Sequence, residues 1–368
     1  MTIRFKGAQC AWALALALCV SQTMAQSSYT VSTLDGVHLT FAADERLDEA
    51  DRVLGNRSRF VFQSSIGGLG PFGGYVPRSA YWAASTSTTV SPTSLFGSAA
   101  EWSTRAVSDN GRWQALASTA TDRLARSQGT SVTRLDAAQG TTPGHVVTDI
   151  NNIGDMAGFN SSRNGDGVSV DQPLVWRNGL RQSLPLNGAV GGRAQTVNNL
   201  GDVAGALWFP PLPGTNAADF VWRAARWQQG AVTWVADPAV VAGASVVTAM
   251  NDRGDMLVSS RNGGYSAFVV SASGQVTALS PQRSMVLAYD INASGVAVGE
   301  AGGRAVFWVN GVEVDLAAHL AAKGVTRVGN WQLLAVLDIN DKGSMIVRYR
   351  LPSDAASTFR KARLTALP

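Results

Sequence analysis

Val147-Thr148-Asp149-Ile150-Asn151-Asn152-Ile153-Gly154-Asp155-Met156-Ala157-Gly158 is the stretch on which the reading of this chain turns. An alternating apolar run enters, Asn-x-x-Gly reverses it, and a second alternating run leaves. Gly takes positive φ without steric cost, and Asn tolerates a left-handed backbone and hydrogen-bonds its own chain two residues on, so the stretch predicts a β-hairpin. The pattern returns at 196–205, 249–258, 290–299 and 338–347, and more weakly at 106–111 and 47–55. Counted from Asp48, Ser108, Asn151, Asn198, Asn251, Asn292 and Asn340, the spacing is roughly 50 residues, the range of propellers and solenoids.

Outward from each hairpin lies a third apolar run, most often ending in an aromatic: Trp82, Trp176, Trp227 and Trp308, with Phe268 in the corresponding run of the fifth unit. A short fourth run follows, as at Gly311–Leu316. Four strands per unit with an aromatic marker predict an all-β, seven-bladed β-propeller of four-stranded antiparallel blades. The recurring tryptophans read as packing between blades, because burying them supplies much of the core. Before any repeat stands an alternating strand, Tyr29–Leu34, and the last unit ends at its third strand, Ala362–Leu367. Pairing the two closes the ring and removes two exposed edges. One helix is expected over Asp315–Gly324, an addition between units six and seven bounded by Asp at its start and Gly after its end.

The pattern A-x-D-I-N-x-x-G-x-x-V-G followed by A-x-x-W resembles the HAF extracellular repeat of secreted bacterial proteins. Gly329-Asn330-Trp331-Gln332-Leu333-Leu334-Ala335-Val336-Leu337-Asp338-Ile339-Asn340-Asp341-Lys342-Gly343 is especially similar to that family's last repeat. The resemblance spans nearly all of the chain beyond its leader. Its first two units depart from it, with Asp51 at the turn Gly and Ser108 at the Asn. It implies an extracytoplasmic repeat protein and carries over no activity or catalytic residue.

Residues 1–25 read as a secretory signal peptide: Arg4 and Lys6, a short apolar core over Ala11–Val20, and Thr23-Met24-Ala25 before the expected cut. That core is too short to span a bilayer. Residues 26–368 form one expected domain, secreted or periplasmic. Both cysteines, Cys10 and Cys19, fall in the leader, so the mature chain has no disulfide and no thiolate chemistry. Losing Arg4 and Lys6 lowers the net charge from +4 to +2, and no Lys/Arg run points to nucleic acid.

Insertions in units one, three, four and seven all fall between the second and third strands, and so on one face of a ring of antiparallel blades. Irregular loops on one face of a repeat protein mark its binding face. The candidate binding residues there are Phe72, Tyr75, Arg163, Trp208, Phe209, Tyr265 and Tyr349, a set of aromatics with Arg suited to peptide or carbohydrate contact. The competing reading is local packing that pins the loops.

Signals for catalysis are weak. His38, His145 and His319 are well separated and lack a partner in sequence. Asp290, Asn292 and Ser294 fall at calcium-loop spacing, but Glu300 is one position early for the bidentate ligand, and a hairpin turn explains the set. Asp48, Glu49 and Asp51 supply carboxylates for a glycosidase, yet they occupy a repeat turn where acids are ordinary. No catalytic residue, metal or cofactor is assigned. The expected function is a monomeric binding or scaffold module presenting its loop face to a protein or polysaccharide, with no nucleic-acid partner. The alternatives are a hydrolase or lyase of extracellular polysaccharide on the same scaffold, and a structural component of the cell envelope.

Overall fold

Period-two alternation becomes strand after strand. In a computed structural model, residues 29–34, 46–63, 72–82, 87–89, 102–118, 123–129, 131–135, 144–161, 170–210, 221–235, 241, 243–261, 264–356 and 358–367 are described, with backbone alone over 54–89 and at 102. Their strands pair into seven four-stranded antiparallel sheets. Six are consecutive runs of four strands, between residues 46–89, 102–134, 145–183, 191–234, 244–279 and 286–315. The seventh combines Gln332–Ile339, Met345–Arg350 and Arg360–Ala366 with Tyr29–Thr33, whose residues run antiparallel to 362–366. This is an all-β β-propeller of four-stranded antiparallel blades, closed by its N-terminal strand.

The core lies between neighbouring sheets. Trp176, Trp227 and Trp308 are buried at the same repeat position. Removing about 200 Å² of indole from water contributes roughly 5 kcal/mol each. The indole N–H of Trp227 donates to Pro185 O and that of Trp308 to Ser280 Oγ, so neither burial strands a donor. The helix spans Leu316–Ala322, capped by Asp315 accepting from Ala318 N at 3.0 Å. It is not an appendage: Leu316 and Leu320 are fully buried in one cluster with Tyr29 and Val31 of the closing strand.

Two features of the innermost strands position the site. Each of six inner strands carries a β-bulge just before the turn, as between Val147 and Asp149, Ala194 and Thr196, Val247 and Ala249, and Ala288 and Asp290. A bulge offsets the alternation and re-aims the next side chain, here toward the ring axis. The turn itself is closed by glycine in the left-handed region, Gly154 at φ 86° and Gly201 at 81°, and by Asp51 at φ 60° in the first sheet. The asparagine is not itself at positive φ, but it hydrogen-bonds its own chain two residues on, as expected, and it does one thing more. Oδ1 of Asn151 accepts from Ile153 N and Asp155 N of its own turn, while Nδ2 donates to Asn198 O of the next sheet at 2.8 Å. Asn198, Asn251 and Asn292 pass the link onward to Asn251 O, Asn292 O and Asn340 O, and Asn340 donates to Asp48 O. One amide thus shapes a turn and ties two blades; an ionised Asp has no donor for the second task, and Ser108 uses its hydroxyl proton within its own turn.

Candidate functional site: an acidic axial pocket

At the end of the ring where these turns converge lies a cavity of about 100 Å³ on the axis. Glu49, Asp109, Asp149, Asp252, Asp290, Asp338 and Asp341 line it, with Arg46 as the one cation among its lining residues. The acids come from two repeat positions. Asp149, Asp290 and Asp338 sit two residues before the asparagine, directly after the bulge. Asp252 and Asp341 sit one residue after it, and Glu49 and Asp109 sit one residue after Asp48 and Ser108, which hold the same repeat position.

Most of these carboxylates also join blades. Oδ2 of Asp149 accepts from Thr196 Oγ1 at 2.8 Å and Val197 N at 2.9 Å, Oδ2 of Asp290 accepts from Ile339 N at 3.1 Å, and Oδ2 of Asp338 accepts from Leu47 N at 2.5 Å. In the outer tier Asp252 accepts from Asn199, Asp341 from Ala293 N and Glu49 from Asp341 N. Neighbouring turns are stitched by oxygens that still present charge to the axis.

Crowding like charges in a protein-walled channel favours the proton-bearing forms. Burial, then the charge of Asp290 and a hydrogen bond with it, raises the pKa of Asp338, against the opposing pull of Arg46. Burial raises that of Asp149 too, opposed first by the Val197 and Thr196 hydrogen bonds. Asp109 is pushed up to about 8: the surrounding wall displaces its hydration, and Asp149, Asp290, Asp252 and Asp341 add repulsion. Its side chain nevertheless touches solvent at the mouth, so the energetic consequence is smaller than that figure implies. Desolvation weighs against the charge on Arg46, but Asp338, Asp290, Asp149 and Asp109 together outweigh it and hold the guanidinium charged.

The residues expected to form the binding face do not gather here, because loops between second and third strands lie at the opposite end. Trp208 and Phe209 belong to strand Val203–Phe209, and Tyr349 to Met345–Arg350, not to loops. Trp208 is 3% exposed and packs on Trp222 at 4.5 Å; Tyr349 is 3% exposed and stacks on Trp331 at 3.7 Å. Both pack in the blades instead of presenting a surface. Phe209 is half-buried and meets Trp234 at 5.7 Å, and Tyr265 is exposed beside Arg261. Phe72 and Tyr75 lie in strand Phe72–Trp82, where only the backbone is described, and Arg163 lies outside the described residues.

The histidines are likewise placed apart. His145 lies against Arg181 and Trp176, His319 packs edge-on to Phe307 and Tyr29, and His38 is outside the described residues. Asp48 is sealed, accepting from Ala50 N, Arg52 N and Arg52 Nε, so it is not a free acid. Among the described residues no group of three metal-ligating side chains is arranged to hold an ion. The acids of the pocket were legible only as turn residues. The signal that could have found them was their recurrence at two repeat positions flanking the asparagine.

No family model matches this chain, and no curated protein does. Solved structures match in fold. The β-propeller domain of the Trilobed protease from Pyrococcus furiosus, described as having an open velcro topology, is similar over 92% of this chain and 93% of its own, at 8% identity and a TM-score of 0.57. An acylaminoacyl peptidase from Pyrococcus horikoshii is similar over 88% of this chain, at 10% identity and a TM-score of 0.53. This chain spans about half of that peptidase, 49% of its length. At such identities the likeness is one of fold.

Proposed function

We propose that this protein is a secreted or periplasmic binding module, a ring completed as a seventh blade by residues 46–89, whose axial pocket takes a basic side chain of a protein partner. The observation that carries the reading is the convergence of seven carboxylates on one cavity with a single arginine among them. A low-dielectric funnel of one sign focuses its field and draws a cation of the opposite sign. The partner surface has an apolar element beside it: Ile153 and Leu200, at successive turns on the pocket face, are 59% and 71% exposed. The leader of residues 1–25 and the resemblance to HAF repeats support an extracytoplasmic setting. Calorimetric titration with Lys- and Arg-containing peptides, their neutral analogues and neutral oligosaccharides is the test. Saturable binding of basic peptides alone, lost in Asp149→Asn/Asp290→Asn, is expected. Binding of oligosaccharides with basic peptides inert would move the ligand class to polysaccharide.

One observation favours a second reading, hydrolysis or elimination on a polysaccharide. Burial and the neighbouring Asp290 raise the pKa of Asp338, and two carboxyls side by side are a pairing that glycosidic chemistry uses. Reducing-end release from a polysaccharide panel, abolished by Asp338→Asn, would establish it.

A further inference from the structure

Arg46 stands at the repeat position that holds Asp149, Asp290 and Asp338 in three other sheets and Ala106, Thr196 and Ala249 in the rest. It is the one cation at that position. Its Nη1 lies 3.5 Å from Asp338 Oδ1, at the long end of an ion pair, and its side chain is 37% exposed. Ion pairs elsewhere between neighbouring sheets are shorter, Arg193–Asp171 at 2.5 Å and Arg348–Glu300 at 2.7 Å. The guanidinium is therefore kept in the pocket by the field of several carboxylates more than by one tight contact.

We propose that Arg46 is a built-in occupant of the axial pocket, an autoinhibitory cation that an incoming basic group displaces, and that its displacement loosens the seam where the ring closes. The inference rests on reading the pocket as a site for a cation. Coupling to the seam follows from shared atoms. Arg46 and Leu47 make up a two-residue strand, and the Asp338 carboxylate that faces Arg46 through Oδ1 receives Leu47 N through Oδ2. That seam also holds Asn340 Nδ2 on Asp48 O and Asp51 Oδ1, Asp341 N on Glu49 Oε1, Arg363 on Asp51 O, Lys342 at 3.6 Å from Asp51, and the apolar packing of Leu47 and Val53 with Ala335, Leu337 and Ile346. A ligand cation that takes Oδ1 of Asp338 releases Arg46, one of the two contacts this carboxylate makes to the shortest strand in the ring, and leaves that strand on Leu47 N alone. Ion pairs this exposed are also weakened by salt.

The experiment uses the full chain, spermine as probe, and the variants Arg46→Gln, Arg46→Lys and Arg304→Gln. Arg304 pairs with Asp315 on an outer strand and serves as a control for charge alone. Arg46→Gln should bind spermine at least tenfold more tightly than wild type, with Arg46→Lys and Arg304→Gln within about twofold. In wild type, spermine should speed hydrogen exchange over residues 46–52 relative to 251–256. Equal affinity of Arg46→Gln and wild type, or unchanged exchange at 46–52 under saturating spermine, overturns the proposal. If no form binds spermine, the pocket reading has failed and the seam is tested alone. In that case 1 M NaCl should speed exchange at 46–52 in wild type and not in Arg46→Gln, and any other outcome removes Arg46 as the latch. Melting curves confirm that each variant is folded.

Discussion

Five of the turns around the axis close with asparagine and two, at Asp48 and Ser108, do not. In the five, a neutral amide accepts from its own turn and donates to the next sheet, a link that itself carries no charge. Asp48 keeps only the accepting half, on Ala50 N and Arg52 N, and takes Arg52 Nε as counter-ion. Ser108 accepts from Trp113 N and spends its proton on Asn110 Oδ1, inside its own turn. The backbone turn survives all three residues, but the blade-to-blade link moves off this position: Asn110 donates to Asn152 of the third sheet, and Glu49 N donates to Asp109 O of the second. Hairpin geometry and ring cohesion are therefore separable demands on a single position.

Breaking a link where it exists should have the largest effect. Asn151→Asp keeps the turn acceptor, replaces the donor with a charge and leaves a buried Asn198 carbonyl facing it. A loss of about 3 kcal/mol is expected in chemical denaturation at pH 7. A loss below about 1 kcal/mol would mean that the amide ring is incidental.

Gly154→Val attacks the turn and leaves the link. The glycine sits at φ 86°, and an added Cβ would lie 2.8 Å from Trp113 Cε2. Backbone strain and a clash with a ring of the neighbouring sheet should cost about 2–3 kcal/mol. Gly188→Ala is the comparison: it has φ 84° with open space around its Cβ, so strain alone applies, about 1 kcal/mol. Equal losses at the two sites would show that the Trp113 contact is immaterial.

Asp109 follows Ser108 and tests what charge does at a turn without asparagine. Its folded pKa stands near 8 against an ordinary 3.8, so the folded state binds a proton that the unfolded chain releases. Its contribution to stability therefore falls as pH rises from about 4 to about 8 and levels off above that. Asp109→Asn should flatten the slope and add about 1 kcal/mol at pH 8, a small value because the side chain touches solvent. Parallel melting-temperature profiles for the two proteins from pH 5 to 9 would refute it.

The smallest change is a repair. Asp48→Asn restores a donor facing the second sheet and gives up the Arg52 pair, a part-exposed contact of little worth. A gain of up to about 0.5–1 kcal/mol in unfolding free energy is expected. A loss would mean that the first turn is built around its charge.

Much of this protein is determined along the sequence. A hairpin needs only a local turn and alternating flanks, so the repeat, the four strands per unit, the buried Trp176, Trp227 and Trp308, and the demand for Tyr29–Leu34 to pair with the last strands are all visible in order of residues. The helix ends could be read from Asp315 and Gly324. Its place in the core could not, because Leu316 and Leu320 meet Tyr29 across almost the whole chain length. Trp208 and Tyr349 looked like loop aromatics because strand ends are set by partners, and their partners, Trp222 and Trp331, are specified only by folding. The axial pocket is the plainest case. Glu49, Asp109, Asp149, Asp252, Asp290, Asp338 and Asp341 are single acids scattered over nearly three hundred residues, each ordinary for a turn. Only bulges that aim inner-strand side chains inward, and a ring that brings every turn to one axis, turn them into one field. Charges add over distance in space, and that distance is a property of the tertiary structure alone.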